Sequence, residues 1–185
     1  MRVLATSFAV SCVCLAFSQA HAAVPFVLKS SSFEDGGTLA LKHAGNTPSS
    51  VNCLGQNISP ALAWANPPEG VRSFAIVVVD AEGAAGLGVV HWVAYGIPAS
   101  TTEFSEGEGS RESQKYVGGK NSRELGSYVG PCAPPGGLHH YTFTIIATDL
   151  APDALPPGLT KDELLAKLKG HAKAASGLVA LYQHP

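Results

Sequence analysis

Ser73-Phe-Ala-Ile-Val-Val-Val-Asp80 decides the fold. Its apolar run, Phe74 to Val79, has no polar break and is rich in β-branched residues, so it reads as a strand buried on both faces. It ends in a carboxylate and runs into the glycine-bearing turn Gly83 to Gly88. A second apolar stretch, Val89 to Ile97, follows at once and is stopped by Pro98. Two strands so close in sequence pair antiparallel.

Outward from this pair the same logic recurs. Leu62 and Trp64 alternate with small residues before Asn66-Pro67-Pro68-Glu69-Gly70, a strand stopped by a turn. Tyr141, Phe143 and Ile145 alternate across a half-buried strand that runs to Ala147. Val24 to Leu28 is extended in character, Phe33 to Leu39 is a turn between short strands, and Asn46 to Pro60 is a loop. Thr101 to Gly126 is long, polar and glycine-bearing, a length usual for functional or mobile loops. Thr160-Lys-Asp-Glu163 is a capping box for a helix carrying Leu164, Leu165 and Leu168 and ended by Gly170. Leu178 to Tyr182 fits a last strand or a second helical piece. Strands do not alternate with helices, so the chain reads as mainly β, an antiparallel sandwich with one or two short C-terminal helices. The 20 glycines, 13 prolines and 14% charged residues agree.

Residues 1–22 read as a secretory signal peptide: Arg2, the apolar stretch Val3 to Phe17, then Ala20-His21-Ala22 as a small-x-small cleavage site. The stretch is shorter than the ~20 residues of a membrane span, and no later segment is long and apolar enough for one. Cleavage of 22 residues from 185 leaves 163, a single domain at 23–185. Its 11 basic and 14 acidic residues give a net charge of −3 without any basic run, which excludes nucleic acid as a partner. The expected location is the periplasm or the medium. Cys53 and Cys132 then remain, and an even pair in an oxidising compartment is expected to be bonded. Two free buried thiols are the alternative. Such a bridge, 79 positions long, contributes roughly 4.5 kcal/mol on the chain-entropy model, less any strain.

Chemistry concentrates at two strand ends. Asp80 and Glu82 lie two residues apart and share a side if the chain stays extended. His91 stands near the start of a strand. His139 and His140 are adjacent, so strand alternation puts His139 on the side of Tyr141 and turns His140 outward. Gly130 to Gly137 holds three glycines and three prolines, a loop whose backbone donors can cradle an anion or simply make a rigid turn. No Gly-x-Ser-x-Gly or HExxH is present, and the reading calls for no cofactor and no metal.

Asn57 to Trp64, the Asp80 segment, His91-Trp92-Val93, Tyr128 to Pro131, Pro134-Pro135-Gly136, His139-x-Tyr141 and the closing His171, Ala175, Val179 and Tyr182 together resemble, in this order, the phosphatidylethanolamine-binding family, in its bacterial Raf-kinase-inhibitor-like branch. The resemblance implies a central antiparallel sheet packed against a smaller one. It also implies a pocket for phosphate, acetate or a phospholipid head group, lined by Asp80, His91, His139 and Tyr141 with Gly130 in its anion loop. Two departures stand out. The family's Asp-Pro-Asp-x-Pro is here Asp80-Ala-Glu-Gly-Ala84, which loosens the turn, and the usual Arg after the pocket histidine is His140. The expected function is an exported binding protein for a small anionic, phosphorylated ligand, with donors from the histidines, Tyr141 and the Gly130 amides. The alternatives are a protein-interaction or inhibitor module, a regulator of proteases or host proteins acting through the 101–126 loop, and a hydrolase using Asp80, Glu82, His91 and His139.

Overall fold

The computed structural model describes residues 24–185; the expected signal peptide lies outside them. Among the described residues nine strands form two sheets. The six-stranded sheet has the order β2-β9-β8-β4-β5-β7, with β2 Gly37–Thr38, β4 Ser73–Asp80, β5 Val89–Pro98, β7 Val117–Gly118, β8 His139–Thr148 and β9 Ala172–Tyr182. The three-stranded sheet has the order β1-β3-β6, with β1 Val27–Lys29, β3 Leu62–Ala65 and β6 Glu103–Phe104. Every pairing is antiparallel except that of β2 with β9. The expected mainly β fold, a central sheet against a smaller one, is borne out.

The unbroken apolar run of β4 has a direct cause. Period-two pleating divides it between two cores. Phe74, Ile76 and Val78 face the small sheet and join Leu28, Leu62, Trp64, Trp92 and Phe104. Trp64 stands edge-on to Phe74 at 5.5 Å, across the two sheets. Ala75 and Val77 face the other way, onto Val93, Tyr95, Ile146, Leu164 and Leu168. That second core is roofed by the one helix of regular geometry among the described residues, Lys161–Leu168. Thr160 accepts from the Glu163 N–H, Glu163 reaches back to the Thr160 N–H, and Gly170 at φ +85° lies just beyond the end. Leu164 and Leu168 are its buried anchors, while Leu165 is exposed.

Of the two alternatives for Leu178 to Tyr182 the last strand holds: the segment closes β9, which pairs with β8 from Ala172 to Tyr182. One expectation is corrected. The 101–126 segment is not a free loop, because β6 joins the small sheet and β7 the large one. Two-residue strands are too short to reveal alternation in sequence. No helix among the described residues is long and apolar enough to cross a membrane.

Candidate functional site

Strand pairing gathers the chemistry at one end of the large sheet. Asp80, the last residue of β4, lies opposite Tyr141 of β8 and opposite Val89 of β5. His91 reaches the same place by an irregularity. Val78 pairs with Trp92 but Val79 pairs with Val90, so His91 is the extra residue of a β-bulge. Regular pleating would send His91 and Trp92 to opposite faces. The bulge re-aims the imidazole, which stands edge-on to the Tyr141 ring at 5.0 Å.

These groups surround a cavity of about 280 Å³, a size suited to a small molecule, lined by Asp80, His91, Arg123, Gly130, His139 and Tyr141 together with apolar Val89, Val90 and Ala133. Asp80 is buried and fully engaged. Its Oδ1 accepts the N–H groups of Glu82 and Gly83 at 3.0 Å each, and its Oδ2 lies 2.8 Å from His139 Nδ1. The carboxylate therefore closes the turn and also orients an imidazole. His139 and Tyr141 share a side, their rings stacked at 6.4 Å. Burial, with the Asp80 charge second, pushes the Tyr141 phenol up, so it stays an O–H donor. His91 Nδ1 lies 2.6 Å from the Val129 carbonyl, and burial foremost lowers its pKa.

Three placements differ from the sequence reading. Glu82 does not join Asp80. The chain leaves β4 in a tight turn, Ala84 and Ala85 adopting left-handed φ of 53° and 58°, and Glu82 swings to the rim. There it pairs with outward-facing His140: Oε1 lies 2.8 Å from Nδ1, and Oε2 accepts the His140 backbone N–H. The Glu82 carboxyl is pushed down to about 2, chiefly by that backbone N–H. The four side chains of an acid-base hydrolytic site are thus not assembled.

Gly130 lines the cavity, but its N–H donates to Asn57 Oδ1 at 2.8 Å and is not free for an anion. Its lack of a side chain serves packing, since a Cβ would sit 2.1 Å from the His43 carbonyl oxygen. Asn57 also donates to the Tyr128 carbonyl, so it clamps the loop from both sides.

The third difference is an omission. Arg123 is a cation on the cavity wall, and sequence reasoning missed it because one arginine in a polar turn reads as a solvated charge. Asn121 builds that turn: its Oδ1 accepts from the Arg123 and Leu125 N–H groups, and its Nδ2 donates to Ser127. The guanidinium lies against Thr47 Oγ1 and the disulfide joining Cys53 and Cys132, 3.4 Å from Cys132 Sγ. Among the described residues it forms no ion pair with a carboxylate. Nor does any group of three His, Cys, Asp or Glu side chains there have the arrangement of a metal site.

The family model for phosphatidylethanolamine-binding protein matches residues 29–183. The chain belongs to the phosphatidylethanolamine-binding protein family. Within that family it is 34% identical to a UPF0098 protein of Methanothermobacter thermautotrophicus, over 79% of this chain and 96% of that one. It is 35% identical to the UPF0098 protein YbcL of Escherichia coli, over 68% and 69% of the two chains. The crystal structure of E. coli YbcL, described as a new member of the mammalian PEBP family, superposes with a TM-score of 0.76 at 29% identity, covering 85% of this chain and 98% of YbcL.

Proposed function

We propose that this phosphatidylethanolamine-binding-family protein is an exported binder of a small anionic molecule, foremost a phosphorylated one or a lipid head group, held in the Asp80–His139 cavity. One observation carries the reading: a guanidinium without a carboxylate partner among the described residues, Arg123, shares a cavity of about 280 Å³ with the Tyr141 phenol and two oriented imidazoles. A cation and convergent polar groups in a mostly apolar hollow are what a small anion requires. Export is supported by the expected cleavage after Ala22 and by the disulfide, since such bonds persist in oxidising compartments.

Calorimetric titration with phosphate and with phosphoethanolamine tests the proposal, run beside esterase and phosphatase assays. Saturable binding without turnover is the expected result, weakened at least about tenfold in Arg123→Gln, a loss of ~1.4 kcal/mol. Turnover of either class of ester would overturn it.

A further inference from the structure

The two imidazoles of the cavity are oriented in the same way, and that orientation sets what each can offer a ligand. The Val129 carbonyl can only accept, so His91 Nδ1, 2.6 Å away, carries the hydrogen. His139 Nδ1 faces a carboxylate oxygen, Asp80 Oδ2, and by the same reasoning donates to it. In each neutral ring the other nitrogen, Nε2, is therefore an acceptor. For His91 that nitrogen is buried and has no hydrogen-bond partner. A buried acceptor without a donor is unfavourable until something supplies one.

The charges around His91 limit what that donor can be. Asp80 faces it from β4, His139 and Tyr141 from β8, and Arg123 from the 119–130 loop; burial opposes its protonation first, and Arg123 and His139 add to the effect against Asp80. The fixed charges of the cavity wall are one carboxylate, already engaged with His139 and two backbone amides, and one guanidinium. A fully ionised dianion would bring only acceptors to the His91 acceptor.

Resting on the anion-binding reading above, we propose that the cavity takes its oxyanion in the singly protonated form: Arg123 meets the one negative charge, and Nε2 of His91 accepts the ligand's own O–H. The ligand class is the monoanion of a phosphomonoester, or of another oxyacid that keeps one acidic hydroxyl. Ligand and proton enter together, and His91 stays neutral throughout.

Methyl phosphate and methyl sulfate separate this from imidazolium binding. At pH 5.5 both are monoanions of one shape, because the second ionisation of a phosphomonoester lies near ~6, and only the phosphate has a hydroxyl. Calorimetry should find methyl phosphate at least about tenfold tighter, since a site built around a hydroxyl rejects the analogue that lacks it. Its affinity should fall roughly hundredfold by pH 8 as the monoanion disappears, about tenfold per unit above the ligand's ionisation. His91→Asn keeps an amide donor for Val129 but removes the far acceptor, and should lower methyl phosphate to the level of methyl sulfate. Equal or tighter binding of methyl sulfate would overturn the proposal, as would a preference surviving in His91→Asn. If that variant does not fold, the comparison of the two esters on the wild-type protein decides alone. If neither ester binds, the anion-binding reading itself falls, and this inference with it.

Discussion

At the scale of single residues, the site depends on where side chains lie relative to the pleat. His139 and His140 are neighbours in sequence, yet one is oriented by Asp80 inside the cavity while the other pairs with Glu82 at the rim. His139→Ala should therefore lower methyl phosphate affinity at least about tenfold, and His140→Ala less than about twofold, because an exposed pair contributes little. Calorimetry on both variants checks this, and equal losses would contradict it. This division was legible, since alternation along β8 is a local rule. The place of His91 was not, because a bulge depends on how β5 registers against β4. Gly130 was read as an anion donor because glycine-rich loops often are; only the contact with Asn57 and the passing His43 carbonyl reveal a packing role. Gly130→Ala should consequently destabilise the fold by roughly 1–3 kcal/mol through overpacking, measured as a lower urea midpoint. An unchanged midpoint would mean that the 43–45 segment moves aside freely.

At the scale of elements, β4 was readable because burial on both faces leaves an uninterrupted apolar run. β6 and β7 were unreadable because two residues carry no period. The helix was readable from its cap, and the cap allows a quantitative check. Thr160→Ala removes the acceptor for the Glu163 N–H and should cost about 1 kcal/mol in chemical denaturation. The turn after β4 is a different case. Ala84 and Ala85 hold left-handed φ of 53° and 58°, conformations closed to the proline that the family pattern places at position 84. Ala85→Gly should stabilise the protein by a few tenths to about 1 kcal/mol, because glycine adopts that region without steric cost. A lower denaturation midpoint for Ala85→Gly would show that the turn is not strained.

At the scale of the whole molecule, two buried histidines link stability to pH. Burial foremost lowers the pKa of His43 and of His91. The unfolded chain then binds protons more readily than the folded one below the ordinary imidazole value near ~6.5. Stability should be flat above about pH 7 and fall progressively as pH drops below ~6.5. Urea unfolding from pH 7.5 to 5 measures the slope, and His43→Asn, which can still donate to the Ile58 carbonyl, should make it shallower. Stability that rises on acidification would contradict the burial of neutral imidazoles. The two-sheet architecture was legible as a whole from seven short motifs in order. Arg123 was not, because no local pattern tells that a distant turn rests on the disulfide and faces the same hollow as Asp80.

The central claim is that this hollow binds an anion. The most direct test is an amide and imidazole NMR titration of the folded protein with methyl phosphate at pH 5.5, to about 10 mM, where binding stronger than about −2.7 kcal/mol is visible. Saturable shifts centred on Asp80, His91, Arg123, His139 and Tyr141 are expected, with Glu82 and His140 little changed. No saturable shift in that range, or shifts centred on the Glu82–His140 rim, would contradict the claim.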